Sequence, residues 1–253
     1  IITLDFETYY DKAFSLSKLT TEEYIRDDRF EVIGVAVKVN DGETEWASGT
    51  HQELKVWLDQ FDWENSTALA HNAMFDGFIL SEHFDIRPKF WVDTLCMGRA
   101  IHGVEVSGSL AALTERYGLG QKGTEVHDFK GYRREDFQDW ELSKYGDYCI
   151  NDVTLTYKLF HQMIKDGFPK KELHVINQTV RMFTEPVLKL DTNKRTMEVS
   201  HRVAMALHLG RPLGRFDFVY HRCGNNLCCN PDHLAMGRPS ERKPVMDESR
   251  ATG

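Results

Sequence analysis

The sequence lacks any apolar run approaching the roughly 18 residues of a membrane-spanning helix, and it shows no signal-peptide pattern. Cysteine is also scarce: there are five in 253 residues, and three of them are crowded into positions 223–229. This crowding differs from the spaced cysteines of a secreted disulfide framework, so Cys96 and Cys149 are expected to be plain buried thiols. The absences argue against membrane proteins and disulfide-stapled secreted proteins, and they predict a cytoplasmic protein.

Charge is distributed unevenly along the chain. Residues 193–253 contain 10 Lys and Arg against 6 Asp and Glu, a net charge of +4, and the whole-chain value of −8 therefore leaves −12 for residues 1–192. An apolar-periodic helix over residues 171–183 is broken by Pro186, and the composition changes soon afterwards. We therefore predict two domains, residues 1–192 and 193–253. The small basic second domain is typical of a nucleic-acid-binding unit.

Three short acidic motifs in the first domain supply four carboxylates and one tyrosine. The motifs are DFE at residues 5–7, NAMFD at 72–76 and YCIND at 148–152. Two Mg²⁺ or Mn²⁺ ions about 4 Å apart, held by carboxylate oxygens, together with an aimed water, are what two-metal phosphodiester hydrolysis requires. The candidate metal ligands are Asp5, Glu7, Asp76 and Asp152, and Tyr148 is the candidate for aiming the water.

The first motif is predicted to lie at the end of a strand. Residues 1–4 are an apolar run that leads into Asp5, and Glu7 follows two residues later. On an extended chain, side chains two residues apart point to the same face, so both carboxylates are expected to face one cleft. Further apolar stretches predict strands at residues 30–39, 43–47 and 67–70.

The second and third motifs are predicted to lie on helices. The strand over residues 67–70 delivers His71 and Asn72, and a helix then begins at Asp76. Tyr148 and Asp152 are four residues apart and therefore share one helix face. Each motif alone also fits a solvated turn or an exposed helix face, because short motifs match by chance.

In this order, the three motifs resemble those of the proofreading 3′–5′ exonuclease domain of family A DNA polymerases. That domain belongs to the DEDD superfamily with a tyrosine in its third motif, and the resemblance to the phage-type version covers residues 1–192. It implies an α/β, RNase-H-like fold and hydrolysis of single-stranded DNA ends to 5′-mononucleotides. We predict DNA contacts from His71, Asn72 and Phe75. We expect the module to lack its usual polymerase continuation.

The tightest cluster of potential metal ligands is HRCGNNLCCNPDHL at residues 221–234. Cys223, Cys228 and His233 follow one another at steps of five residues in a loop rich in Gly, Asn and Pro. Thiolates and imidazole favour structural Zn²⁺, and a module of this size needs such a staple because its core is small. The alternative is that the cysteines are incidental core thiols. His221, at the end of a predicted strand, is a candidate general base.

Residues 201–237 resemble the zinc-containing branch of the HNH, or ββα-metal, nucleases, which includes phage HNH proteins and Cys/His-box homing endonucleases. The resemblance implies His221 as general base and Asn230 as a positioning residue. It also implies Cys223, Cys228 and His233 as structural zinc ligands. An exonuclease module joined to an HNH module is similar to mobile endonucleases that invade phage polymerase genes.

The second domain departs from that family in two ways. The family's fourth zinc ligand is usually an upstream cysteine, and residues 187–220 contain none, so His201 is our first choice and His208 an alternative. Arg242 stands where the family has a metal-binding asparagine, and arginine does not ligate a divalent cation. Either the nuclease half is degenerate, or residues are absent around 194–195 or 241–243.

Three functions from different classes follow from these motifs. The first is a metal-dependent 3′–5′ exonuclease with an appended HNH module, which acts on single-stranded 3′ ends and holds duplex DNA through its basic domain. The second is a site-specific homing endonuclease in which the exonuclease fold is an accessory body. The third is a DNA-binding protein with both centres inactive. The intact set of four carboxylates argues against the third, and Arg242 argues to a lesser extent against the second.

Overall fold

The computed structural model describes residues 1–123, 129–185, 200–211, 213–214, 217–222 and 231–237. The chain forms two compact units, Ile1–Pro186 and Val187–Gly253. The predicted domain boundary at residue 192 lies outside the described residues, so it stays a prediction. Within the described ranges, no helix is both long enough and apolar enough to cross a membrane.

The first unit is built on a five-stranded mixed sheet. Its strands are β1 (Ile2–Thr8), β2 (Val32–Val39), β3 (Thr44–Ala47), β4 (Thr67–Ala70) and β5 (Phe90–Asp93). They lie in the order β3-β2-β1-β4-β5. The central β1 is antiparallel to β2 and parallel to β4; β3 is antiparallel to β2, and β5 is parallel to β4. The α/β class predicted from the sequence is confirmed.

Seven helices of this unit surround the sheet within the described residues. They are α1 (Thr21–Arg26), α2 (His51–Leu58), α3 (Ala73–His83), α4 (Thr94–His102), α5 (Leu110–Arg116), α6 (Asp139–Lys165) and α7 (Lys170–Thr184). Short 3-10 helices lie at Trp63–Asn65 and Arg134–Asp136. The long α6 packs on β1, β2 and β3, whereas α7 packs on α3 and β5. Helix α6 is therefore the element that faces the centre of the sheet.

Strand β1 has one apolar face and one acidic face. Ile2, Leu4 and Phe6 are buried in the main hydrophobic core. Because side chains alternate along a strand, Asp5 and Glu7 point to the opposite face, toward α6. Pairing with β2 continues through Thr8, with a register shift after Glu7. The first motif therefore lies near the end of β1, as expected, and both acidic residues lie within the paired strand.

Two glycines let α6 approach the sheet closely. A Cβ atom added at Gly146 would lie 2.7 Å from the Trp46 side chain, and one added at Gly34 would lie 2.3 Å from the same indole. Both distances are shorter than van der Waals contact, so the Trp46 ring fills space that any larger residue would need. The indole between α6 and β2 thus fixes how near the helix comes to β1.

Helix α3 begins at Ala73, three residues earlier than predicted. Its N-cap, Asn72, has φ 74° and ψ 51° in the left-handed region, which asparagine tolerates better than most residues. The earlier start places Asp76 in the first turn of the helix. The predicted helix near residues 171–183 is confirmed as α7.

The described part of the second unit consists of one helix and a small hairpin. Helix α8 spans Ser200–Leu209, and β6 (Val219–His221) pairs antiparallel with β7 (Leu234–Met236). A 3-10 helix at Pro231–His233 leads into β7. His221, predicted to lie at the end of a strand, is the last residue of β6.

Candidate active site

Three elements bring the predicted acidic residues together. Ligand atoms of Asp5, Glu7 and Cys149 all lie within 4.8 Å of one another. The Oδ1 atom of Asp76, on α3, accepts a hydrogen bond from the Phe6 N–H at 3.0 Å. That bond ties α3 to the strand residue between the two β1 carboxylates. The first two motifs therefore converge, as predicted.

The third motif completes the cluster from α6. Asp152 is 3% exposed, and its charge acts on both Asp5 and Glu7. It forms an ion pair with Lys122. The four predicted carboxylates thus lie close enough to influence one another, and a lysine from the segment after α5 joins them.

The carboxylates raise one another's pKa values. Burial, followed by the charge of Asp152, raises the pKa of Asp5 to about 7. Burial and then the charge of Asp5 raise the pKa values of Glu7 and Asp76 well above their ordinary range. Such a cluster favours a cation at its centre, because a bound positive charge removes the repulsion between the carboxylates. Carboxylate oxygens are the ligands that Mg²⁺ and Mn²⁺ prefer, so the donor set fits these ions.

Tyr148 lies one helical turn from Asp152 and is 7% exposed. Burial and the charge of Asp152 raise the pKa of its hydroxyl, which therefore stays protonated at neutral pH. The Lys122 ammonium lies 5.1 Å from the centre of the Tyr148 ring and also hydrogen-bonds its hydroxyl. Tyr148, Lys122 and Asp152 therefore form a connected polar group beside the carboxylates.

Three residues of the site had no predicted role. Cys149 was expected to be a plain buried thiol. It is buried, but its Sγ lies 3.3 Å from the carbonyl oxygen of Asp5 and 3.5 Å from Asp5 Oδ2. Tyr145 hydrogen-bonds the Glu7 carboxylate. The spacing of Tyr145 and Cys149 on the Tyr148 face of α6 could have pointed to both, whereas Lys122 carries no sequence signal.

The predicted DNA-contacting residues lie at the start of α3, next to the start of α4. His71 Nδ1 is 2.8 Å from Thr94 Oγ1, and burial lowers the pKa of the imidazole to about 4, so the ring is neutral. The Asn72 N–H donates to Asp93 Oδ1 at 3.0 Å. Phe75 is partly buried against the core. These contacts fix the residues structurally, and their DNA contacts stay predictions.

Most of the predicted zinc and HNH residues lie where the structure describes no side chain. His201 is in α8 and His221 is in β6, but only their backbone is described. His233 ends the 3-10 helix before β7. Cys223, Cys228, Asn230 and Arg242 are outside the described residues. The zinc site therefore stays a prediction.

The sequence matches the family described as 3′–5′ exonuclease over residues 20–167, which is more than half of the chain. The chain belongs to this family. The matched range contains Asp76, Tyr148 and Asp152, whereas Asp5 and Glu7 precede it. The structure brings the two β1 residues to the same site. No curated protein matches the sequence significantly.

Several solved structures share the fold at low sequence identity. Magnesium-bound NrnC of Brucella melitensis has a TM-score of 0.55 at 14% identity, covering 78% of this chain and 89% of that one. Trypanosoma brucei RNase D has a TM-score of 0.56 at 13% identity, covering 84% and 75%. The family B DNA polymerase of Pyrobaculum calidifontis has a TM-score of 0.50 at 14% identity, covering 87% of this chain and 33% of the polymerase. These similarities support an RNase-H-like exonuclease fold. Together with the family membership, they support a metal-dependent nuclease.

Proposed function

We propose that the first unit removes nucleotides from the 3′ ends of single-stranded DNA by two-metal hydrolysis. The observation that carries this proposal is the convergence of four carboxylates from β1, α3 and α6 at one site. Their mutually raised pKa values mean that the cluster gains most from a bound divalent cation. Lys122 pairs with Asp152, yet burial and the neighbouring carboxylates still raise the pKa values of Asp5 and Glu7.

Asp5, Glu7, Asp76 and Asp152 would hold the ions. When bound, two divalent ions lower the pKa of an attacking water and stabilise the charge on the leaving oxygen. Asp5 would be the central ligand of the set, since its charge acts on Glu7 and on Asp76, and the charge of Asp152 acts on it. Protonated Tyr148 would aim the water through its hydroxyl.

The choice of DNA rests on the resemblance to proofreading domains. The similar structures include a DNA polymerase and an RNase D, so the fold suits either nucleic acid. The product is a 5′-mononucleotide when water attacks the phosphorus of the 3′-terminal phosphodiester and the bond to the 3′-oxygen of the preceding nucleotide breaks, so that this oxygen leaves as the new 3′-hydroxyl. His71, Asn72 and Phe75 are proposed to contact the terminal nucleotides, because they lie on the segment that also delivers Asp76.

A 3′-end degradation assay with Mg²⁺ or Mn²⁺ tests the proposal. The substrates are 5′-labelled single strands of DNA and RNA with the same sequence. Asp5→Ala is expected to abolish shortening of the DNA strand, and Tyr148→Phe to reduce it less, because only the orientation of water is lost. Asp147→Ala, a carboxylate removed from the exposed face of the same helix, is the matched control and should retain activity. Activity that survives Asp5→Ala would exclude the two-metal mechanism, and preference for the RNA strand would overturn the DNA assignment.

We further propose that the second unit is a zinc-stapled HNH module that binds duplex DNA. The support is its basic charge and the hairpin geometry on either side of the Cys/His cluster. The Arg222 N–H donates to the His233 carbonyl oxygen at 2.7 Å. Cys223 is the next residue in the sequence after Arg222. We propose Cys223, Cys228, His233 and His201 as zinc ligands, and a general-base role for His221.

Elemental analysis and chelation test the zinc proposal without relying on nuclease activity. All five tryptophans lie between residues 46 and 140, so tryptophan fluorescence reports the first unit alone. Chelation should lower the helical circular dichroism signal and leave tryptophan fluorescence unchanged, because metal-binding energy is folding energy for so small a module. Zinc-free protein that keeps its full dichroism signal would contradict the proposal. Plasmid nicking should be weak, because Arg242 replaces a metal-binding asparagine.

A further inference from the structure

Tyr145 occupies a buried position between the aromatic cluster and the acidic site. Its side chain is 1% exposed and packs with Ile33, Phe129 and Phe137. Its hydroxyl hydrogen-bonds the Glu7 carboxylate. A tyrosine hydroxyl ordinarily titrates at about pH 10, so the phenol is protonated at neutral pH and is the donor in this bond.

The spacing of α6 matches the spacing of β1. Tyr145 meets Glu7, and Cys149, four residues further along the helix, meets Asp5, two residues earlier on the strand. Four helical residues rise about 6 Å, and two strand residues rise about 6.6 Å. A helix running antiparallel to the strand can therefore place one side chain on each carboxylate.

The aromatic neighbours hold the Tyr145 ring in a fixed orientation. The ring stacks on Phe137 at 5.4 Å and on Tyr148 at 6.4 Å, with interplanar angles of 22° and 10°. Phe129 meets it edge-on at 5.4 Å. A hydroxyl on a ring held from several sides directs its hydrogen bond at one position, and that position is Glu7.

We propose that Tyr145 is a positioning residue that holds the Glu7 carboxylate in the orientation needed to bind a divalent cation. The inference rests on the proposed function, because it takes Glu7 as a metal ligand. The proposal gives the two stacked tyrosines different roles. Tyr145 acts on the metal ligand and sets ion affinity, whereas Tyr148, one turn further along, acts on the water and sets the rate.

The test is calorimetric Mn²⁺ binding together with metal-activation curves on the full chain. Tyr145→Phe should weaken Mn²⁺ binding about 10- to 100-fold, the usual effect of losing a partner that orients a metal ligand. Its rate should recover at saturating Mn²⁺. Tyr148→Phe should do the reverse, lowering the maximal rate and leaving the half-saturating Mn²⁺ concentration unchanged. Tyr132→Phe is the matched control, because Tyr132 packs against the same aromatic cluster.

A second comparison shows whether Tyr145 acts through Glu7. In a Glu7→Ala background, Tyr145→Phe should cause no further loss of Mn²⁺ affinity. Unchanged Mn²⁺ affinity in Tyr145→Phe, or an equal loss in Tyr132→Phe, would overturn the inference. Binding is measured without substrate, so a wild-type protein that binds Mn²⁺ but degrades no strand would contradict the proposed function alone. A wild-type protein that binds no Mn²⁺ would overturn both.

Discussion

Two neighbouring regions of the first unit each bury an aspartate, and they use it differently. Asp76 and Asp93 are both 1% exposed. Asp93 lies at the start of α4, where its carboxylate accepts the N–H groups of Asn72 at 3.0 Å and Leu95 at 2.8 Å, with Cys96 N–H at 3.4 Å. Asp76 accepts the Phe6 N–H and its own backbone N–H, and it faces the charge of Asp5 and, to a lesser extent, that of Asp93.

The difference separates a structural carboxylate from a candidate metal ligand. Burial raises the pKa of Asp93, and its hydrogen bonds with Asn72, Leu95 and Cys96 oppose that effect. At Asp76 the charge of Asp5 adds to burial. A carboxylate surrounded by backbone N–H donors indicates a helix cap. A carboxylate surrounded by other carboxylates indicates a cation-binding site. Burial alone does not distinguish the two.

The largest expected effects, on activity and on stability, come from replacing Asp76 and Asp93 separately with alanine. Asp76→Ala should reduce 3′-end degradation more than the 10- to 100-fold typical of losing a partner of a metal ligand. Its thermal stability should change little, because relief of repulsion offsets the lost hydrogen bond. Asp93→Ala should instead lower the free energy of unfolding by about 2 kcal/mol, since capped and buried N–H groups lose their acceptor. Folded Asp93→Ala should keep near-normal activity at low temperature.

These two predictions are tested by activity assays and by melting followed through tryptophan fluorescence, both on the same preparations of each variant. An Asp93→Ala protein of normal stability and no activity would mean that Asp93 belongs to the reaction. An Asp76→Ala protein that loses stability and keeps activity would remove Asp76 from the proposed site.

The sequence predicted the acidic site better than it predicted the contacts that support it. Asp5, Glu7, Asp76 and Asp152 lie in short motifs, and the period of a strand or helix fixes the direction of each side chain locally. The contact of Lys122 is tertiary, and no local spacing encodes it. The helical spacing of Tyr145 from Tyr148 gives the face on which Tyr145 lies but not its partner, Glu7. The limits of β1 also depended on pairing with β2, which an apolar run of four residues did not reveal.

A smaller effect is expected on the pH dependence of stability without metal. Folded-state pKa values raised above their unfolded values mean that the folded protein binds more protons between about pH 4 and pH 7. Stability from this cluster is therefore fully present below about pH 4 and is lost as pH rises through about 7, the pKa of Asp5. The melting temperature of the metal-free first unit should fall by several degrees between pH 5 and pH 8.

Melting followed by tryptophan fluorescence in EDTA and in Mn²⁺ measures this effect. Mn²⁺ should cancel most of the fall, because the ion stabilises the deprotonated carboxylates. Asp5→Asn should flatten the pH dependence in EDTA, and Asp147→Asn should not. A melting temperature that rises steadily from pH 5 to pH 8 in EDTA would show that repulsion between the deprotonated carboxylates does not destabilise the folded protein.

The smallest effect is expected at Lys122, which supplies a positive charge to the site through Asp152. Lys122→Met should lower the melting temperature in EDTA, because the buried carboxylates lose a nearby cation. In Mn²⁺ the loss should shrink, since the ion supplies positive charge in its place. Lys122→Arg keeps the charge and should melt like the wild type in both conditions. If Lys122→Met loses as much stability with Mn²⁺ as without it, the lysine stabilises the fold independently of the metal site. The carboxylate cluster would then need a bound cation less than the repulsion between Asp76 and Asp5 indicates.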